Sequence, residues 1–401
     1  MKGEDEKMKY ELPKGFLANG MHAGLKKKRK DLALFYSLNP AKCAAVFTRN
    51  RSKAAPVIVC QEKLKKNKGA QAILVNSGNA NCMTGKRGVS DARKSAREVA
   101  KALNISEDLV LVSSTGVIGV PMNMKPLLAA VPELISGLSS DGVMRATEAI
   151  MTTDVFAKIY SVKFKCGGKE IKMIGVTKGA GMIKPNMATM LCYIFTDAAI
   201  SDKALKKALI ECNEESFNAI SVDGDMSTND TVIVLANGEA INPVIPDSGK
   251  EYKNFAGKLK KVMLELAKMI VRDGEGATKL VKVKVIGAKS AEEARSAVEK
   301  ISNSLLLKCA IHGGDPNWGR VAAALGASGI EFDPDGIEII MDGVTFYKNG
   351  KSVADFRTKK DVFKGKDAEI EVRLNEGKYE ATMYTCDLSK KYIYINSFYT
   401  T

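Results

Sequence analysis

A single threonine, Thr189, stands where an irregular loop meets a buried strand. The residues before it include Gly179, Gly181 and Pro185, which do not fit a regular helix or a central strand. Residues 190–195 are almost all apolar and the run is short, which is typical of a strand buried on both faces. A hydroxyl at such a junction is held by a rigid element and reached through a loop, as catalytic groups often are.

Self-cleavage followed by nucleophilic catalysis is the chemistry that this hydroxyl permits. If Thr189 Oγ attacks the carbonyl of Ala188, the peptide becomes an ester, and hydrolysis of that ester frees Thr189 as a new N-terminus. Its α-amine, whose ordinary pKa is about 7.7–8.0, can then act as the base for its own hydroxyl. For a threonine taken alone, a structural role at the start of a core strand is the better interpretation, so the surrounding sequence has to decide.

The surrounding sequence resembles the processing site of the arginine-biosynthesis acetyltransferases, the glutamate N-acetyltransferase/ornithine acetyltransferase family. The similar stretch is Lys178-Gly-Ala-Gly-Met-Ile-Lys-Pro-Asn-Met-Ala-Thr-Met-Leu191, and further motifs agree in order from Pro13 to Thr401. The resemblance implies autocatalytic cleavage between Ala188 and Thr189. It also implies that Thr189 is the nucleophile and carries the acetyl group.

An oxyanion hole is implied by a second segment. The predicted strand Leu109–Val112 runs into the small-residue loop Ser113–Gly119, which could direct backbone N–H groups and a hydroxyl at one point. From the residues alone, an ordinary strand-to-helix turn is the better interpretation. The resemblance implies that Thr115 and Gly116 stabilise the oxyanion.

Substrate contacts are implied by the same resemblance, residue by residue. Thr152 opens Thr152-Thr-Asp154, Glu275 lies between two glycines, and the C-terminal tail is predicted to form an alternating strand. Lys178 precedes the nucleophile on the same predicted loop and suits a substrate α-carboxylate. Turn or surface roles are the alternative for each. With Lys178 added for its charge and position, the predicted substrate-binding residues are Thr152, Lys178, Thr189, Glu275, Asn396 and Thr401.

Strands and helices in alternation must position these residues. Strands are predicted at 31–36, 44–48, 55–60, 71–76, 109–112, 159–165, 170–176, 190–195, 231–235 and 280–286, and helices at 89–103, 127–138, 141–151, 202–218, 251–271 and 291–302. The pattern predicts an α/β protein with packed β-sheets flanked by helices. The resemblance adds the ornithine acetyltransferase/DmpA-like fold, related in style to N-terminal-nucleophile hydrolases. It also implies an α chain, 1–188, and a β chain, 189–401, that form one intertwined unit.

Composition argues against several classes of protein. The 401 residues contain no apolar run near the roughly 20 that span a bilayer and no secretory signal, so we expect a cytoplasmic protein. The eight cysteines include no CxxC pair. With only two histidines, the sequence offers no metal-ligand cluster and almost no candidate for the histidine of a Ser-His-Asp triad. This scarcity favours a nucleophile that carries its own base. The net charge of +15, including the run 26–30, predicts a solvated lysine-rich surface that gathers anionic substrates.

The expected reaction moves an acetyl group from N2-acetyl-L-ornithine to L-glutamate by a ping-pong mechanism, with no cofactor and no metal. The resemblance implies an assembly of two α and two β chains, and no nucleic acid or membrane partner. Three alternatives stay open: a hydrolase or aminopeptidase using the same threonine, an enzyme that also uses acetyl-CoA, and a basic nucleic-acid-binding protein. The chain departs from the family pattern at Val155 and at 397–400, with an effect that the sequence does not give.

Overall fold

The computed structural model describes residues 10–184, 190–355 and 361–398. The predictions for Ala188, Thr189 and Thr401 therefore lie outside the described residues. None of the helices within these ranges is long and apolar enough to cross a bilayer.

A mixed sheet of eight strands forms the larger part of the described chain. Its strands are β1 (Phe16–Met21), β2 (Leu32–Phe47), β3 (Gly69–Asn79), β4 (Val110–Val117), β5 (Lys158–Cys166), β6 (Lys169–Lys178), β7 (Leu191–Thr196) and β8 (Thr231–Ala236). The spatial order is β4-β3-β2-β8-β7-β6-β5, with β1 paired to β2. Strands β7 and β8, which follow position 189, thus lie between β2 and β6, which precede it.

Helices cover both faces of this sheet. The helices are α1 (Ala55–Lys66), α2 (Gly85–Leu103), α3 (Met124–Ser136), α4 (Val143–Ile150), α5 (Asp202–Glu214) and α6 (Gly249–Arg272). In β7, Tyr193 and Phe195 pack into the cluster that contains α1–α4, whereas Cys192 and Ile194 pack into the cluster of α5 and α6. The alternation follows from the period of two along a strand, and it confirms that residues 191–195 are buried on both faces.

A second sheet of six strands follows in the chain. Its strands are β9 (Leu280–Ala288), β10 (Glu338–Met341), β11 (Val344–Lys348), β12 (Lys351–Ser352), β13 (Asp367–Arg373) and β14 (Tyr379–Cys386), in the spatial order β12-β11-β10-β13-β9-β14. Helices α7 (Ala291–Ser302), α8 (Leu305–Gly313) and α9 (Trp318–Gly326) share its hydrophobic core. The described chain ends in helix α10 (Lys390–Phe398).

Two predicted strands are wrong. Residues 55–60 are the start of helix α1, where Pro56 occupies the first turn and needs no N–H partner. The tail, predicted as an alternating strand, is helix α10, and the Ser389 hydroxyl accepts the Lys391 N–H at its beginning. In both segments a short apolar run fits the two-residue period of a strand and the 3.6-residue period of a helix. The sequence pattern alone could therefore not separate strand from helix.

Candidate active site

Six of the predicted site residues line one cavity of about 260 Å³. They come from five different parts of the fold: strand β4, the loop after α4, the end of β6, the turn after α6, and helix α10. The six are Thr115, Gly116, Thr152, Lys178, Glu275 and Asn396. The chemical role of each remains a prediction, but the fold brings them together.

Thr115 and Gly116 lie where the parallel strands β3 and β4 end side by side, with Gly116 paired to Gly78. Gly116 has φ +133°, and a Cβ atom there would lie 2.3 Å from the Gly78 carbonyl carbon, so no other residue fits this approach. Asn229 ties this end of the sheet to the loop before β8: its Nδ2 donates to the Ala80 and Ser114 carbonyls, both at 2.7 Å.

Lys178, the last residue of β6, is buried, and its Nζ donates to Thr115 Oγ1 at 3.3 Å. Because the ammonium group occupies a lone pair of the hydroxyl, the Thr115 O–H remains available to donate into the cavity. Burial lowers the pKa of Lys178, and the nearby Asp154 carboxylate opposes that shift. The pair therefore places positive charge and a hydroxyl donor on one wall.

Behind this wall lies a buried group of three charges, Asp154, Lys158 and Asp273, here called the Lys158 cluster. Lys158 Nζ donates to Asp154 Oδ1 at 2.7 Å and to Asp273 Oδ2 at 2.5 Å, and all three side chains are almost completely buried. Burial opposes ionisation of Asp154, but the Lys158 and Lys178 ammonium groups outweigh it and hold its pKa below the ordinary value. Burial raises the pKa of Asp273, which shares the same lysine.

The Lys158 cluster joins the loop after α4 and the loop after β6 to the turn that carries Asp273 and Glu275. Asp154 accepts the backbone N–H groups of Thr152 at 2.9 Å and of Gly179 at 2.7 Å. Asp273 accepts the N–H of Val155, whose side chain points to solvent with 79% of its surface exposed, so this departure from the family pattern leaves the backbone contact in place.

Glu275 and Asn396 meet across the cavity. Glu275 Oε2 accepts a hydrogen bond from Asn396 Nδ2 at 2.8 Å, and the Glu275 N–H donates to the Ala180 carbonyl at 2.8 Å. A Cβ atom on Gly181 would lie 2.6 Å from the Glu275 carboxylate, so the glycine makes room for it. Helix α10 is therefore tied to the turn that carries Glu275, which brings the tail to the cavity although it is not a strand.

The basic run is only partly a solvated surface. Lys26 Nζ donates to the Met151 carbonyl at 2.5 Å, and an Arg29 guanidinium nitrogen donates to the Thr152 carbonyl at 3.4 Å. Burial lowers the pKa of Lys26 to about 8, against the opposing Asp31 carboxylate. Two members of this run therefore support the Thr152 loop, which the charge pattern did not indicate.

The loop Asp223–Asp230 holds the chain on both sides of residues 185–189. Asp223 accepts the N–H groups of Met182 at 2.6 Å and Ile183 at 2.8 Å, and Asp230 Oδ1 accepts the N–H of Met190 at 3.0 Å. The Asp, Ser, Thr and Asn content of this loop is the sequence signal that indicates side chains accepting backbone N–H groups. Within the described ranges, no group of three or more metal-ligating side chains is assembled.

A family model described as the ArgJ family matches residues 17–401. The chain belongs to the ArgJ family. This finding confirms the resemblance given by the sequence motifs, and the two sheets flanked by helices confirm the predicted fold class.

Named relatives cover the chain almost completely. The arginine biosynthesis bifunctional protein ArgJ of Caldanaerobacter subterraneus subsp. tengcongensis is 50% identical over 398 residues, 98% of this chain and 98% of the relative. The glutamate N-acetyltransferase of Methanocaldococcus jannaschii is 46% identical over 404 residues, 97% of this chain and 98% of the relative. A crystal structure of ArgJ from Bacillus halodurans is 41% identical, covering 45% of this chain and 95% of that chain with a TM-score of 0.43.

Replacing Lys158 by Met should destabilise this ArgJ-family protein by about 3–5 kcal/mol, because two buried carboxylates lose their shared cation. The matched control is Lys163→Met on the same strand, where the ion pair with Glu170 is exposed on both sides. The control should change the free energy of unfolding by at most about 1 kcal/mol. Urea unfolding followed by circular dichroism measures both, and equal losses would contradict the cluster's role.

Proposed function

We propose that this protein is an ornithine acetyltransferase that carries an acetyl group on Thr189 between N2-acetyl-L-ornithine and L-glutamate. The observation that carries the proposal is that one cavity is lined by all six predicted site residues that the structure describes. The names of the relatives, a bifunctional arginine-biosynthesis protein and a glutamate N-acetyltransferase, support the same reaction.

Maturation comes first in this proposal. Thr189 Oγ attacks the Ala188 carbonyl, and water hydrolyses the resulting ester to leave chains 1–188 and 189–401. The interleaved sheet supports this division, because β7 and β8 of the second chain lie between β2 and β6 of the first. Their ladder hydrogen bonds and shared core would hold the two chains together after the cut.

The first half-reaction transfers the acetyl group to the enzyme. The Thr189 α-amine takes the proton of its own hydroxyl, and Oγ attacks the acetyl carbonyl of the donor. The Thr115 hydroxyl and the Gly116 N–H donate hydrogen bonds to the oxyanion. Because Lys178 Nζ donates to Thr115 Oγ1, the hydroxyl hydrogen of Thr115 points away from the lysine. Collapse of the tetrahedral intermediate breaks the C–N bond, and the leaving ornithine nitrogen takes the proton from the Thr189 ammonium.

The second half-reaction reverses these steps with another amine. The α-amine of glutamate attacks the acetyl ester, gives its proton to the Thr189 amine, and leaves as N-acetylglutamate while Oγ regains its hydrogen. Donor and acceptor share an α-carboxylate, for which the buried Lys178 is the cation on the cavity wall. Glu275, with Asn396 beside it, offers a carboxylate to the side-chain ammonium of ornithine.

Three parts of the proposal go beyond the cavity itself. We propose that the reaction takes place in the cytoplasm and that the protein assembles from two α and two β chains. Acetyl-CoA is a candidate second acetyl donor and is to be tested directly. The curated relative named bifunctional supports including acetyl-CoA in that test.

Intact mass of the purified protein tests the maturation step. We expect wild type to appear as chains 1–188 and 189–401 and Thr189→Ala to appear as one uncut chain, because alanine has no hydroxyl to attack the peptide. The neighbours Ala188 and Met190 also lack a hydroxyl, so the substitution leaves no adjacent nucleophile, and cleavage at any other bond would be visible in the fragment masses. A folded, uncut wild type would contradict the proposal.

Removing the Thr115 hydroxyl tests the oxyanion hole. Thr115→Val should lower kcat by about 10²–10³-fold with a smaller change in KM, since the donor acts mainly in the transition state. Thr115→Ser is the matched control and should retain most of the activity. The readout is formation of N-acetylglutamate from acetylornithine and glutamate, with released acetate measured in parallel. An unchanged kcat in Thr115→Val would exclude the hydroxyl from catalysis, and acetate as the main product would favour a hydrolase.

A further inference from the structure

One carboxylate oxygen of Asp230 is buried and forms no hydrogen bond with the described residues that line the cavity. The side chain is completely buried, and its Oδ1 accepts the Met190 N–H at 3.0 Å. Its Oδ2 is also buried and has no hydrogen-bond partner among the described residues. A buried carboxyl oxygen without a partner is costly, so its retention calls for an explanation.

The position of this carboxyl is fixed by the strands on either side. The Asp230 carbonyl accepts the Thr48 N–H at 3.0 Å, and the Thr231 N–H donates to the Met190 carbonyl at 3.1 Å where β7 and β8 begin to pair. The Thr48 hydroxyl donates to the Ser227 carbonyl at 2.7 Å, and it also lies close enough to the Asp230 carboxyl to lower the pKa of that group. The carboxyl thus stands beside the Met190 nitrogen.

Covalent geometry brings a second nitrogen into range. Met190 is bonded to Thr189, and bond lengths alone keep the nitrogens of two successive residues within about 4 Å of each other. The nitrogen that the proposed cleavage frees is therefore within about 4 Å of the nitrogen whose N–H Asp230 Oδ1 accepts.

We propose that Asp230 acts on the Thr189 nitrogen, relaying a proton to it during self-cleavage and accepting a hydrogen bond from the freed α-ammonium group afterwards. The inference rests on the proposed function, because it assumes that the Ala188–Thr189 bond is cut. It adds to that function a residue with no assigned role.

The relay balances in protons and bonds. As the Oγ–C bond to Ala188 forms and the C–N bond breaks, one carboxyl oxygen of Asp230 gives its proton to the leaving Thr189 nitrogen, and the carboxyl recovers a proton from the Thr189 hydroxyl. The net change moves one proton from oxygen to nitrogen and leaves an ester and a free amine. Water then hydrolyses the ester, which gives the Ala188 carboxylate and restores the hydroxyl.

The charges around Asp230 fit both its protonated form before cleavage and its ionised form afterwards. Burial raises the pKa of Asp230 well above its ordinary value, opposed by the Met190 N–H, the Thr48 hydroxyl and the Lys178 ammonium, so the carboxyl keeps its proton at a higher pH than an exposed aspartate. Lys178 is the cation that faces it, and Lys178 in turn faces Asp154, Lys158 and Glu275. Once an α-ammonium group forms beside it, the ionised carboxyl pairs with that charge.

Asp230→Asn tests the inference, because asparagine can still accept the Met190 N–H but cannot relay a proton or carry charge. We expect self-cleavage to slow at least tenfold, measured by intact mass over time after synthesis. The matched control is Asp197→Asn at the opposite end of β7, where a buried aspartate with a raised pKa accepts the Lys172 N–H. The control should be cut at the wild-type rate.

A pH profile separates this role from simple loss of structure. The Thr189 amine must be neutral to act as a base, so kcat/KM rises with pH through its pKa. A carboxylate beside the ammonium raises that pKa. In the Asp230→Asn protein that has been cleaved, kcat/KM should therefore begin to rise at a lower pH than in wild type. Asp197→Asn should keep the wild-type profile.

The outcomes distinguish the two proposals. In one outcome, wild type is cut and transfers acetyl, and Asp230→Asn matches it in cleavage rate and pH profile. This result overturns the Asp230 role and leaves the proposed function standing. An uncut wild type overturns both. If Asp230→Asn loses the cooperative thermal transition of wild type, Asp230→Ser, whose hydroxyl can accept the Met190 N–H, is judged by the same two readouts.

Discussion

The cavity depends on the contact of one buried ammonium group with two buried carboxylates. Lys158 joins Asp154, which holds the Thr152 and Gly179 backbones, to Asp273, which holds the Val155 backbone and stands two residues before Glu275. Desolvating three charges is expensive, and the arrangement persists only because each is paired and further hydrogen-bonded. Its effect is positional: two loops and a turn that carry predicted substrate contacts share one rigid support.

A second support comes from the loop Asp223–Asp230, and it serves the segment around the predicted cut. Asp223 fixes the backbone before residues 185–189 and Asp230 fixes the backbone after them, while Asn229 joins the loop to the strand that carries Thr115. The strand that follows Thr189 and the strand that carries Thr115 are therefore held by the same loop. In the proposed mechanism, a change in that loop would act on cleavage and on acetyl transfer together, because both proposed reactions use Thr189.

The sequence predicted which residues the fold brings together better than it predicted the local structure. The motifs indicate Thr115, Lys178 and Glu275, and the cavity gathers all three, while their chemical roles remain predictions. The segments 55–60 and 391–401 are predicted to be strands, whereas residues 55–60 and 390–398 are helical, since a short apolar run fits either period and the deciding contacts are tertiary. The Lys158 cluster and the Asp230 carboxyl could not be predicted, because they join residues more than a hundred positions apart or depend on burial.

Locating the acetyl group on the enzyme tests the account most directly. Wild-type protein is incubated with N2-acetylornithine without glutamate, quenched in acid, and the 189–401 chain is analysed by mass spectrometry with fragmentation of its first residues. The account predicts one added acetyl group on the Thr189 hydroxyl, which disappears when glutamate is supplied before the quench and N-acetylglutamate forms in equal amount. An acetyl group on another residue, or transfer to glutamate with no acetylated enzyme at any time, would contradict it.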